Sequence, residues 1–84
     1  MNKIFVDLAW ADYLFWQTTD KKILKKINAL IRDIEKQGIE GIGKPEPLRH
    51  ELSGYWSRRI TEFDRIVYSI DQDTIYIISC RGHY

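Results

Sequence analysis

Between Gly38 and Pro47 the chain reads GIEGIGKPEP, and three glycines and two prolines in ten residues leave room for neither a regular helix nor a central strand. This loop divides the sequence. Before it lie a short strand and two helices; after it the residues are β-rich. Any fold must therefore dock a helical half against a β half.

The helical half is clearest at its end. Ile23, Leu24, Ile27, Leu30, Ile31 and Ile34 follow one another at offsets of 1, 4, 7, 8 and 11, one apolar stripe with Lys21, Lys22, Lys25, Lys26 and Arg32 largely outside it. Thr19 or Asp20 can cap this helix, and Gly38 can stop it. An earlier helix runs from Asp7 to about Thr18, with Asp7 a possible cap and Leu8, Ala11, Leu14 and Phe15 on one side. A tight turn from Thr18 to Asp20 makes the two a helical hairpin. Lys3–Val6 reads as a first short strand.

After the loop, Leu48–Leu52 reads as a short strand and Ser53-Gly54 as a turn. Tyr55–Thr61, Arg65–Ile70 and Thr74–Cys80 are three further strands with connections short enough for antiparallel hairpins. The expected fold is α+β: one domain over residues 1–84, with a short N-terminal strand and a helical hairpin packed on a mostly antiparallel sheet.

Several function classes are excluded by what is scarce. Cys80 is the sole cysteine, so no intramolecular disulfide forms, and two histidines, His50 and His83, are too few for most structural zinc sites. No metal or cofactor is expected. MNKIFVDLAW lacks the apolar core of a signal peptide, and no apolar run reaches membrane length, so a reduced cytoplasm is the expected location. The net charge is only +1, yet six Lys or Arg and two acids lie between Lys21 and Lys36. Such a basic block suits an RNA or ribosome surface, or simply a solvated helix face.

If the helices cover one face of the sheet, the other is open, and side-chain parity says what it carries. Tyr55, Ser57, Arg59 and Thr61 share one side of their strand; Arg65 goes with Val67 and Ser69; His83 goes with Arg81 and Ser79 if the last strand stays regular. Glu46 lies between Pro45 and Pro47, whose fixed φ angles stiffen the backbone beneath its carboxylate. A carboxylate, two arginines and a histidine are the parts needed to cleave RNA. The carboxylate takes the 2′-hydroxyl proton, the guanidiniums hold the phosphate and its growing charge, and the imidazolium protonates the leaving 5′-oxygen. Each also has a plainer reading. Arg58 and Arg59 can decorate a sheet edge, Arg65 can pair with Asp64 or Glu62, and His83-Tyr84 can be a frayed end. His50 receives no role, and Cys80 reads as a small core residue.

With those residues in view, the chain resembles the YoeB/Txe family of toxins within the RelE superfamily, most densely in GKPEPLRHELSGYWSRRITEFDRIVY (residues 43–68) and CRGHY (residues 80–84). DYLFWQTTDKKILKKIN (residues 12–28) is similar to the family's helical hairpin. The resemblance implies a microbial-ribonuclease-like, RelE-like fold and ribosome-dependent endoribonuclease cleavage of mRNA in the A site, which inhibits translation. It implies a YefM/Axe-type antitoxin, a homodimer, and contact with DNA only through the antitoxin. It assigns Glu46 as general base, His83 as general acid, Arg65 as the phosphate-stabilising arginine, Arg59 as a second basic residue and Tyr84 as the terminal tyrosine shaping the site. Arg49, a candidate RNA contact, stands where the family often has lysine.

Two other readings remain. A ParE-like toxin of the same fold would bind a protein such as DNA gyrase and need no Glu46–His83 pair; a plain RNA-binding module would tolerate loss of His83. Trp10, Tyr13, Trp16 and Tyr55 exceed what a small core needs, and a partner such as the antitoxin would use them as anchors.

Overall fold

The computed structural model describes residues 1–82; His83 and Tyr84 lie outside the described residues. The element order is β1 (Asn2–Phe5), α1 (Asp7–Thr19), α2 (Lys21–Gln37), β2 (Glu46–Pro47), a 3-10 turn (His50–Leu52), β3 (Trp56–Arg59), β4 (Arg65–Asp71) and β5 (Thr74–Ser79). The strands form one sheet in the order β1-β5-β4-β3-β2, with β1 parallel to β5 and every other pair antiparallel. The fold is α+β, as expected.

The hairpin between the helices turns on a single residue. The Asp20 N–H donates to the Trp16 carbonyl and closes α1, while its carboxylate accepts from the backbone N–H groups of Lys22 and Ile23 and opens α2. The stripe read on α2 is the buried one: Ile27, Leu30, Ile31 and Ile34 are core, with Ile23 and Leu24 packed against it. Each such aliphatic side chain contributes roughly 1.5–3 kcal/mol of transfer free energy. Gly38, at φ 65°, ends the helix.

α1 is rotated from the expected phase. Its buried residues are Ala9, Asp12 and Trp16, whereas Leu8 is 64% and Leu14 42% exposed and Ala11 is also at the surface. All three buried residues meet Cys80. The Asp12 carboxylate accepts the Cys80 N–H at 3.0 Å, Trp16 Nε1–H donates to the Cys80 carbonyl at 2.8 Å, and the Cys80 thiol donates to the Ala9 carbonyl at 3.6 Å. Unpaired backbone groups beyond β5 would otherwise be buried without partners, and α1 turns polar atoms inward to satisfy them. The cap also shifts by one: Val6 is the N-cap, with no side-chain bond, and Asp7 is an acid in the first turn, where the helix dipole favours it.

The strand expected at Leu48–Leu52 is displaced. Pairing with β3 begins at Glu46 and Pro47 and continues one rung through the Leu48 N–H to the Tyr55 carbonyl. The chain then turns, with His50 at φ 57° and the Leu52 and Ser53 N–H groups bonded to the Arg49 and His50 carbonyls. β2 is the sheet's edge, where Pro47 removes no ladder bond that a neighbouring strand requires.

Candidate functional site

The sheet has one face under the helices. That face takes Trp56 and Arg58 of β3 and Ile60 just beyond it; on the other stand Ser57 and Arg59. The register then assembles the far face. Glu46 is opposite Ser57, Ser57 opposite Val67, and Val67 opposite Ser79, one transverse row across four strands. One step further along β3, Arg59 is directly opposite Arg65. The Arg59 N–H points away from this pair to the Gly43 carbonyl, and the Arg65 N–H points away to the Gly82 carbonyl. The two arginines therefore form a non-hydrogen-bonded pair, the closer kind, with Cα atoms about 4.5 Å apart. Like charges directly opposite destabilise a sheet. Glu46 stands one strand over and two residues along from Arg59, a diagonal of roughly 7–8 Å.

This face is not bare. Ser57 and Val67 are buried, as is Leu48 beyond Glu46, and Leu48 and Val67 are outside the main core cluster. Glu46 and Arg59 are exposed and Arg65 is half-buried, so two charged walls flank a firm floor. Arg65 donates to the carbonyls of Thr61 and Glu62, while the Asp64 carboxylate is engaged by the Thr61 hydroxyl and the Gly82 N–H. Those bonds fix the β3–β4 turn to the end of the described chain. Arg49 is exposed and extended at the start of the 3-10 turn. The expectations for His83 and Tyr84 fall outside the described residues. The described chain leaves regular strand before that point: β5 ends at Ser79, a register shift interrupts β4–β5 pairing at Val67/Tyr68, and Gly82 has φ 79°. Arg81 follows neither parity nor the open face; its guanidinium lies 3.5 Å over the Phe15 ring of α1.

The residue that sequence reasoning passed over is Arg58. Read as edge decoration, it is fully buried and all five of its N–H groups are occupied. Nε donates to the Tyr68 hydroxyl at 3.0 Å. One terminal nitrogen reaches the Asp33 carboxylate at 2.5 Å and the Ile42 carbonyl at 3.1 Å; the other reaches the carbonyls of Gly38 and Glu40. Asp33 also accepts the Ile42 N–H. The Arg58 hydrogen bond, then that from Ile42, holds the Asp33 carboxyl below its usual range. Gly41 is required here, since a Cβ would collide with Asp33 Oδ2. Arg58 thus nails the glycine loop to β3 and α2, and Glu46 follows from that loop. The available signal was parity: Arg58 shares its side of β3 with Trp56 and Ile60.

Recesses indent the surface in two places that bear on function. One of about 460 Å³ lies between β1 and the helices, where Trp10 stacks on Tyr13 at 5.7 Å and Phe5 meets both edge-on. Of the surplus aromatics, Trp16 is core, Tyr13 and Tyr55 are half-buried and Trp10 is 48% exposed. The other, about 280 Å³, abuts Arg59 at the end of β3. No group of three or more metal-ligating side chains occurs among the described residues.

A family described as "YoeB-like toxin of bacterial type II toxin-antitoxin system" matches residues 5–84. Toxin YoeB of Escherichia coli K12 is 56% identical over 84 residues, the whole of both chains. The solved YoeB/ParE toxin from Agrobacterium tumefaciens is 44% identical and superposes with a TM-score of 0.97, covering all of both chains. YoeB of Staphylococcus aureus, solved as a dimer and in a heterotetrameric YoeB–YefM complex, is 48% identical with a TM-score of 0.94, covering all of this chain and 98% of that one.

Proposed function

The chain belongs to the YoeB-like toxins of bacterial type II toxin–antitoxin systems, and from that membership and the geometry of the open face we propose that it is a ribosome-dependent endoribonuclease cutting mRNA in the A site. The observation that carries this reading is the convergence of Glu46 with the Arg59–Arg65 pair on one side of the sheet.

In this reading Glu46 is the general base. Its carboxylate stands on an edge strand between two prolines, anchored through the Arg58-bound loop, so little freedom is lost when it receives the 2′-hydroxyl proton. The 2′-oxygen attacks the adjacent phosphorus, and the 5′-oxygen of the next nucleotide leaves. Arg59 and Arg65 hold the phosphate; their mutual repulsion in the free protein is relieved by the negative charge that grows in the transition state. Arginine suits this task because its planar fork matches phosphate oxygens and stays charged. His83 supplies the proton to the leaving oxygen, Tyr84 shapes the site, and Arg49 contacts RNA. No metal is invoked, because RNA brings its own nucleophile.

The face is small, which gives ribosome dependence a physical basis. Few groups can grip RNA here unaided, and the ribosome would present one bent phosphodiester to them. The protein would act in the cytoplasm, assemble with a YefM/Axe-type antitoxin, form a homodimer, and meet operator DNA only through the antitoxin. YoeB of Staphylococcus aureus in its dimer and YefM complex supports the assembly part of this reading.

The test is cleavage of a defined mRNA on programmed ribosomes with EDTA present. The parent should cut in the A site, and Glu46→Ala and His83→Ala should each lose about 10²–10⁴-fold. No cutting by a folded parent would remove the nuclease reading in favour of a gyrase-type target or simple RNA binding.

A further inference from the structure

The recess of about 280 Å³ at the end of β3 is walled by Lys26 of α2, Gly43 and Lys44 of the loop, and Arg59, Ile60, Thr61 and Glu62. Three cations from three different elements meet one carboxylate, a net of +2. A solvated helix face would spread its lysines along one element; these are brought together by the fold.

The recess continues the open face. The Gly43 carbonyl accepts the Arg59 N–H at 2.7 Å, which sets Lys44 beside Arg59, two residues before Glu46. Arg59 belongs to both places. The loop sits this close because Gly43 has no side chain: a Cβ would meet Leu30 Cδ2 at 2.7 Å and the Arg59 carbonyl at 3.2 Å. Lys44 itself is held at φ 53°, a left-handed backbone that glycine or asparagine occupies at less cost. Held in that conformation, Lys44 lines the recess. The Thr61 hydroxyl is committed to Asp64 and to the N–H groups of Phe63 and Asp64, so the lysines are the groups with donors to offer.

We propose that this recess holds the phosphate of the mRNA nucleotide adjoining the cleaved bond, with Lys26 and Lys44 as its ligands. The proposal rests on the endoribonuclease reading for the direction of the RNA. The recess shares Arg59 with the Glu46–Arg59–Arg65 face, so an RNA backbone that leaves past Arg59 runs over it. Glu62 opposes any anion in the recess. It keeps affinity for a free phosphate low, so that the subsite fills when RNA is already seated.

The experiment reads binding rather than cleavage. An mRNA blocked by 2′-O-methylation at the cut site is programmed into ribosomes, with a neutral methylphosphonate at one or other flanking position. The parent, Lys26→Gln, Lys44→Asn and Glu62→Gln are titrated against each. Asparagine accommodates the left-handed backbone, so the fold is retained at position 44. For the parent, a methylphosphonate at one flanking position should weaken binding roughly ten- to hundredfold, the size of one charge-assisted contact. Lys44→Asn and Lys26→Gln should each weaken binding of the unmodified mRNA and lose clearly less than the parent to that methylphosphonate, while Glu62→Gln should tighten it. Losses that multiply, or lysine variants whose loss is the same with every mRNA, would overturn the proposal and assign the lysines to ribosomal RNA. Failure of the nuclease reading shows separately, as no cutting of the unblocked mRNA.

Discussion

Arg59 and Arg65 oppose each other in the closer of the two antiparallel pair geometries, and nothing about folding requires it. The pair should cost the free sheet a few tenths to about 1 kcal/mol, at low salt most of all. Arg59 is the more exposed partner and its replacement leaves the Arg65 bonds to the β3–β4 turn intact. Arg59→Gln should therefore raise the thermal midpoint slightly, by the equivalent of about 0.5 kcal/mol, while lowering mRNA cleavage about 10²-fold or more. Calorimetry beside a ribosome cleavage assay measures both; a destabilised Arg59→Gln would mean the arginines are not in conflict. Cys80 is the converse case, a residue with structure and no chemistry. Burial first, and the Asp12 charge second, push its thiol up to about 12. Alkylation near neutral pH should proceed only at the rate of unfolding, and rapid labelling of folded protein would contradict the α1–Cys80 contacts.

At the scale of elements the glycine loop and β3 are one unit through Arg58. Removing the guanidinium in Arg58→Met would leave Asp33 and the loop carbonyls without their donors, a loss of about 3 kcal/mol or more, a large share of what so small a protein has. Asp33 adds a pH dependence with a definite sign. Its carboxyl titrates lower in the folded than in the unfolded chain, so its contribution is complete above about pH 4 and is lost as pH falls through the folded value. Thermal midpoints measured from about pH 5 downward should fall less steeply for Asp33→Asn than for the parent; parallel curves would break the link. Strand parity carried a sign that Arg58 is buried, but not its partners in the loop and α2, which lie 16 to 25 residues away in the chain. What was legible had a strong period or a strong breaker: the α2 stripe, the loop with Glu46 between its prolines, the two short hairpins, and the shared face of Arg59 and Arg65 by alternation. α1 was misread in phase. Its apolar residues nearly surround it, so periodicity could not choose a face, and the choice was made by Asp12 and Trp16 meeting Cys80. β2 was misplaced for a related reason, since prolines on an edge strand look like a loop.

Over the whole molecule, a net charge of +1 conceals an uneven distribution. The two acids of α2 are both turned to cations elsewhere: Asp33 to Arg58, and Glu35 to Lys3 and the N-terminal ammonium. Lys21, Lys22, Lys25, Lys26, Arg32 and Lys36 are left exposed on the same helix. The buried stripe fixes that helix against the sheet, so the cations form a rigid surface and not a tail, and Lys26 carries it to the recess beside Arg59. Such a surface loses its affinity for RNA with salt in proportion to the phosphates it neutralises. Reversing Lys21, Lys22 and Lys25 to glutamate, with Lys26 kept for the recess, should weaken ribosome binding. It should also flatten the dependence on salt by roughly one unit of slope for each phosphate that is no longer neutralised. The substituted positions are exposed, and helix propensity is close to equal for Lys and Glu, so the fold should persist. Unchanged ribosome affinity in a folded triple variant would confine the docking surface to the open face and leave the basic helix a solvated one.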